Sequence, residues 1–545
     1  MSTLIKNVML IDGSGQREKY AADIVINGDR IERIDDSCKQ DASSGSFKLV
    51  IDGSGLYASP GFIDTHAHSD VMVFDDPCLP AKSLQGITCE FAGQDGTAVA
   101  PLPEEYIESW RKYLSGIDGD SENFDWHFHT LENYREAVRQ ARPAVNMCIM
   151  APHGNLRLCA MGYDPSAPSA KNLSRMKELL RQDLKNGGFG LTTGLDYIPS
   201  IYADTAELAD LCSLLPEYDG VFAIHLRSEA NEILEAIEEV IEICRSSGCR
   251  GHISHFKVAG EWNFYKLDRM IELLDEAKDE GLAISFDQYP YPFGSTTLTV
   301  VLPPWAVEGG ADKMLSRLES QELRARMKHD MQHGLPGWTG FCRSTGTDNL
   351  LISSVEAAEN FDALGKSLDE IADLRQSDPY TVAMDLIYSE KGSISIITKY
   401  GKEEHIRRLM LRPEMNLCTD GLFSAHPHPR TYGSFPRFFG KYVREEGLLS
   451  WEEAVYKTTG KAAELFRLQE RGFLQEGYYA DIVLLNPESI NDCATLENPQ
   501  QYPVGIEYVF VNGELTVERG VHTGRRPGRV LMRDISCYKK HSLPQ

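Results

Sequence analysis

Three pairs of histidines stand two residues apart: His66 and His68 in GFIDTHAHSD, His127 and His129 in DWHFHT, and His426 and His428 in AHPHPR. Residues two apart on a strand point the same way, so such a pair at a strand end can offer two imidazoles to one ion. Imidazole is a good zinc ligand, and a catalytic zinc keeps one position open for water. The first pair closes the apolar run YASPGFIDTHAH. His225 ends GVFAIH, His255 ends GHISH, and Asp420 ends MNLCTD. Together, a strand-end HxH, two later strand-end histidines and a late strand-end aspartate read as a metal site that activates water.

The other pairs fail this test. His127 and His129 sit among Trp126, Phe128 and acidic residues with no strand before them, which reads as packing or surface. His426 and His428 lie in a proline-rich loop after Asp420 and are expected to line the site without ligating. His252 is out of phase with His255 and is expected on the opposite face of its strand.

Positioning these ends requires strands that all finish on one side. Between residue 59 and about residue 476, strands and helices alternate. GVFAIHL is followed by SEANEILEAIEEVIEICRSSG, in which Ile233, Ile237, Val240, Ile241 and Cys244 recur at helical spacing and Gly248 ends the segment. CRGHISHFK, YKLDRMIELLDEAKDEG and LAISFDQYPY continue the alternation. Such units imply a parallel sheet with crossover helices. The stretch has room for eight of them, the size of a (β/α)8 barrel, where chemistry sits at the C-terminal ends of the strands. Residues 300 to 350 fit the alternation less well. They read either as an insertion near the site, a lid, or as a long excursion with its own helices.

The first 58 residues read as short strands with a hairpin signal at Asn27-Gly28, and similar texture returns after residue 476 with Asn512-Gly513. One small β domain built from both ends and two unrelated hairpins are both open on these residues alone.

The 545 residues are 42% hydrophobic and 25% charged, an ordinary globular composition. The net charge of −26 argues against nucleic acid or anionic membrane as a partner, since both reward positive charge. A substrate anion would need a local basic pocket. No signal-peptide pattern opens the chain and no apolar run reaches membrane-helix length. The twelve cysteines are scattered without a CxxC pair, which favours reduced thiols and a cytoplasmic setting. Oligomeric state leaves no clear mark in one sequence, and a homo-oligomer stays open.

The runs PGFIDTHAHSD, HGNLRL, GLTTGLDYIPSIYADTAEL, IHLRSEAN, ISHFKVAG, DQYPYPFGSTTL, TDG…HPHPRTYGSFPR and GYYADIVLLNP cover most of the chain. In them the sequence resembles the amidohydrolase superfamily and, within it, the D-aminoacylase (N-acyl-D-amino-acid deacylase) family. The resemblance implies an α/β fold: a distorted (β/α)8 TIM barrel of the metal-dependent hydrolase type over residues 59–476. It also implies a small β-sandwich domain from residues 1–58 and 477–535, and an inserted segment at about 300–350 over the active site. It implies zinc, as one or two divalent ions, and a small-molecule substrate bearing a carboxylate. The expected activity is hydrolysis of N-acyl-D-amino acids to a free D-amino acid and a carboxylic acid, with another C–N bond (a dipeptide or a cyclic amide) as the alternative.

By position in these motifs, His66, His68 and Asp420 match the ligands of one metal subsite, and His225 and His255 those of a second, tighter one. Asp420 is also the expected acid–base group. Tyr197, Lys257, Tyr289, Ser295 and Arg430 match the substrate pocket, with Lys257, Tyr289 and Arg430 as the clamp for the substrate carboxylate. A planar Arg fork suits a carboxylate. One departure stands out. The family's stretch near residue 95 reads roughly G-N-C-G with a ligating Cys, whereas this chain has AGQDGTAVAP, which puts Asp95 there. Carboxylate is a harder ligand than thiolate and can bind or bridge metals, while Cys89 and Glu90 are weaker alternatives.

Overall fold

The computed structural model describes residues 2–36, 47–121 and 124–535. Eight parallel staves form a barrel in two arcs. Phe62–Asp64, Ile87–Ala92 and Asn146–Ile149 make one arc. The other runs Ala151–Pro152, Gly190–Gly194, Val221–His225, Arg250–Ile253, Ile284–Gln288 and Met415–Leu417. Asn146–Ile149 and Ala151–Pro152 are one stave interrupted at Met150. The arcs meet again where Ala67 bridges Gly421 and the Asp420 N–H donates to the His66 carbonyl at 2.9 Å.

These staves are short apolar runs because both of their faces are covered. Every residue of VFAIH, Val221 to His225, is buried. The helix expected from periodicity is Ile233–Ser247, and it buries Ile233, Ile237, Val240, Ile241 and Cys244. Gly248, at φ 71°, ends it in the left-handed region that glycine tolerates. Phe91, Phe189, Val221, Ala223 and Phe466 fill the barrel beneath the site, so the barrel interior is a packed floor.

The chain's two ends share one nine-stranded sheet. Tyr57–Pro60 pairs antiparallel with Ile482–Leu485 and joins the N-terminal strands to the C-terminal ones. Ile5, Val8, Ile24 and Ile26 pack with Ile482, Leu484 and Phe510 in a common core. Of the two readings of the ends, this is the single sheet. Both Asn-Gly signals lie at hairpins: Gly28 at φ 63°, and Asn512 and Gly513 at φ 47° and 77°.

Between the stave Ile284–Gln288 and its crossover helix Glu403–Met410 lies a long excursion. Phe293–Thr297, Ser395–Lys399 and Leu350–Ser354 form an antiparallel sheet. Helices such as Gln321–His333 and Pro379–Ser389 surround it. Its own core runs from Leu298 to Ile396. The 300–350 stretch belongs to this excursion, which has its own helices and also reaches the barrel's C-terminal mouth. Among the described residues, no helix is long and apolar enough to cross a membrane.

Candidate active site

At the C-terminal ends of the staves, His66, His68, Asp95, His225, His255 and Asp420 converge, all buried. His66 Nε2 lies 3.2 Å from His68 Nε2, 3.5 Å from Asp95 Oδ1 and 3.7 Å from Asp420 Oδ1. His68 Nε2 lies 3.4 Å from Asp420 Oδ1 and 3.6 Å from Asp95 Oδ2. His255 Nε2 lies 3.6 Å from Asp95 Oδ1 and 3.0 Å from His225 Nδ1. Asp95 Oδ1 is also 3.9 Å from His225 Nδ1. Asp95 thus faces both histidine pairs and stands between them.

These separations fit a cation. Charge-assisted hydrogen bonds close to about 2.7–2.9 Å, and the His–Asp contacts are longer. Two ligands each about 2.1 Å from a tetrahedral zinc lie about 3.4 Å apart. His66 Nδ1 and Asp95 Oδ1 are buried without a hydrogen-bond partner, which is costly unless something else satisfies Asp95. Potential ligand atoms gather in three overlapping groups: His66, His68 and Asp420; His66, Asp95 and His255; and His225, Glu229 and His255.

The backbone turns sharply where the side chains must converge. Asp95, His255 and Asp420 have φ of 55°, 35° and 48°, a region that non-glycine residues adopt at a cost. The turn at His255 also corrects the expectation for His252. The stave ends at Ile253 and the two-residue alternation stops there. His252 Nε2 therefore meets Asp287 Oδ2 at 2.9 Å, while the His255 N–H donates to the other oxygen of the same carboxylate at 2.5 Å.

Hydrogen bonds orient two of these rings, in the way outer partners of a metal site do. Asp118 Oδ1 takes His68 Nδ1 at 2.9 Å and Glu229 Oε1 takes His255 Nδ1 at 2.8 Å. Burial opposes charge on His68, but Asp118, Asp420 and Asp95 outweigh it and raise its pKa well above 6.5. Burial, then His255, lowers His225 to about 4. Burial and Lys257 also oppose charge on His255, yet Glu229, Asp420 and Asp95 carry it up to about 9. Burial acts to raise Asp420, and the Arg430 guanidinium, His255 and the other histidines override it and hold the carboxyl below its usual range.

Tyr197, Lys257, Tyr289, Ser295 and Arg430, the residues expected in a substrate pocket, line one cavity of about 300 Å3 that opens onto this cluster. Arg430, buried, pairs with Asp420 Oδ2 at 2.8 Å and donates to the Ser295 carbonyl at 3.1 Å. Its guanidinium lies 4.5 Å over the Tyr289 ring, and its Nε has no partner. Ser295 thus contributes a backbone carbonyl. Lys257 pairs with Glu229 and approaches the Tyr289 and Tyr400 rings. Tyr289 and Tyr400 share a hydroxyl–hydroxyl hydrogen bond. Tyr197 lies 5.0 Å from the His225 ring, with its hydroxyl 3.1 Å from Thr296 Oγ1.

Of the remaining histidine pairs, the first lies at the surface as the sequence suggested, whereas neither His426 nor His428 lines the cavity as expected. His127 and His129 bond to Glu104 and the Leu102 carbonyl. His426 bonds to the Leu496 carbonyl. His428 is buried, bonds to the Phe293 carbonyl and accepts the Arg430 N–H at 2.8 Å, so it braces the Arg430 backbone. Glu90 and Cys89 point elsewhere: Glu90 lies by Ser69 and Lys82, and Cys89 faces Cys148. Sequence reasoning missed Asp118, Glu229 and the buried His153–Glu207–Arg157 network. Within HGNLRL, the spacing of His153 and Arg157 on one helical face was the available signal.

The amidohydrolase family model matches residues 49–220 and 366–517. The chain is 31% identical over 532 residues to a D-aminoacylase of Alcaligenes xylosoxydans xylosoxydans, covering 97% of each. It is 32% identical to an N-acyl-D-glutamate deacylase of the same organism, covering 98% of this chain and 97% of that one. An N-acyl-D-glutamate deacylase from Bordetella bronchiseptica, solved with zinc and a phosphonate mimic of the tetrahedral intermediate, superposes with a TM-score of 0.81 at 30% identity, covering 97% of this chain and 99% of that one. The match spans the barrel and both chain ends together, and the chain therefore belongs to the amidohydrolase family, among its D-aminoacylases.

Proposed function

We propose that the protein hydrolyses the amide bond of N-acyl-D-amino acids, releasing the D-amino acid and a carboxylic acid. The observation that carries this reading is the convergence of four histidines and two aspartates at ligand spacing beside a buried arginine. In this reading His66, His68, Asp95, His225, His255 and Asp420 hold one or two zinc ions. Zinc there supplies Lewis-acid polarisation of the scissile carbonyl and lowers the pKa of a water.

The chain's own groups do the rest. Asp420 accepts the proton of the attacking water as its oxygen bonds to the carbonyl carbon. It then delivers that proton to the amine nitrogen as the C–N bond breaks. Burial, with Asp95 nearby, keeps the Tyr197 phenol protonated, so its O–H is a donor for the developing oxyanion. Arg430, Lys257 and Tyr289 fix the substrate carboxylate and thereby choose which face of the amino acid meets the water. Arg430 retains Nε–H and further N–H donors beyond its bonds to Asp420 and Ser295. We place this chemistry in a barrel of residues 59–476, with residues 1–58 and 477–535 as the β domain.

The test is release of free amino acid from N-acetyl-D-leucine and from its L enantiomer by zinc-loaded protein. Release from the D form alone is expected. Loaded protein that hydrolyses neither would overturn the reading.

A further inference from the structure

One wall of the cavity, beside Tyr197, is formed by Val300 and Trp338. Behind that wall lies a separate small pocket of about 20 Å3, also lined by Ile201 and Val307. Asp196 lines both the main cavity and this pocket. It sits on the turn after the stave Gly190–Gly194, held by the Tyr113 hydroxyl, which accepts the Ile198 N–H at 3.1 Å. Among the described residues the Asp196 carboxylate has no hydrogen-bond or ion-pair partner.

The cations on the cavity wall are Arg227, Lys257 and Arg430. Arg430 and Lys257 belong to the clamp. Arg227 is occupied by Glu239 at 2.9 Å and by the carbonyls of Ile201 and Ala203 at 3.0 and 2.7 Å. No cation is left for an acidic substrate side chain, while Asp196, Glu232 and Glu235 face the cavity as further carboxylates. Burial, and then Glu229, push the Asp196 carboxyl up to about 7 against the opposing pull of Arg227, which is held by Glu239 and does not pair with it. Apolar walls around a single acid suit a long aliphatic side chain ending in a positive charge: the walls take the methylenes and the acid takes the head. The Trp338 ring adds a face that attracts cations.

Resting on the deacylase reading, we propose that the substrate's side chain lies along the cavity wall of Val300 and Trp338 and that Asp196 on that wall selects a cationic one, of the lysine or arginine class.

The experiment compares N-acetyl-D-lysine with N-acetyl-D-norleucine, which matches it in length but lacks the ammonium, in the zinc-loaded wild type and in Asp196→Asn. A charge-assisted contact predicts a kcat/KM ratio of about 10–100 in favour of lysine, falling towards about one in Asp196→Asn. A wild-type ratio at or below one would overturn the proposal without any variant, and so would a ratio unchanged in Asp196→Asn. Calorimetric affinities of free D-lysine and D-norleucine separate this from the deacylase reading. If neither acyl compound is hydrolysed, that reading fails, and the affinity ratio decides the role of Asp196: lysine preferred and weakened by Asp196→Asn upholds it, and no preference overturns it.

Discussion

Each carboxylate in the cluster has a separable role. Asp420 faces the histidines with one oxygen and Arg430 with the other. Asp420→Asn keeps the shape and removes the proton acceptor, so kcat should fall about 10²–10⁴-fold; near-normal turnover would show that another group moves the proton. Arg430 is bound to that same acid and, in the proposed reading, also meets the substrate carboxylate, so Arg430→Ala should lower kcat and raise KM together. A change in KM alone would mean that the ion pair with Asp420 is idle during turnover. The raised pKa values of His68 and His255 have a consequence for loading. With His255 at about 9 against 6.5 unfolded, its proton stabilises the metal-free fold fully below about 6.5, and that contribution is lost as pH rises through about 9. Zinc takes the neutral ring and must displace that proton. Apparent zinc affinity should therefore climb as pH rises towards about 9, with protons released on binding. Calorimetry in buffers of different ionisation enthalpy reads this, and pH-independent affinity would contradict it.

At the scale of elements, the histidines were legible because each ends a short, wholly buried run, and a parallel stave places its last side chain at the mouth. Asp95 was legible only through resemblance, since nothing in QDG itself marks a ligand. Asp118, Glu229 and Asp196 were not legible as partners, because their contacts exist only once the barrel closes, and loops carry no periodicity. His252 misled because the alternation that placed it stops at Ile253. Closure also depends on Lys82, fully buried on the short helix Pro80–Ser83. It donates to Asp64 Oδ2 at 2.8 Å and Thr419 Oγ1 at 2.9 Å, and lies 3.4 Å from Glu90. Asp64 in turn accepts the Thr419 N–H at 2.8 Å. This group ties the stave that carries His66 and His68 to the one that carries Asp420. Lys82→Met should cost about 3–5 kcal/mol of stability by leaving buried carboxylates unpaired. A loss below about 1 kcal/mol in urea unfolding would show that they find another partner or a proton.

Across the whole molecule, the alternation of strand and helix gave the barrel and its active face. The joining of the two chain ends is a pairing of Tyr57–Pro60 with Ile482–Leu485, far apart in sequence and invisible to local pattern. The excursion sits on the active face because it is inserted between a stave and its helix. That position lets Trp338, Thr339 and Phe341 wall the cavity, so the barrel supplies the reacting groups and the excursion shapes what enters. The account as a whole stands on one measurement: hydrolysis of paired N-acetyl-D- and N-acetyl-L-amino acids as zinc is titrated into metal-free protein. It predicts that activity rises from zero with zinc and stays confined to the D series. Equal turnover of both enantiomers, or activity that does not depend on added zinc, would contradict it.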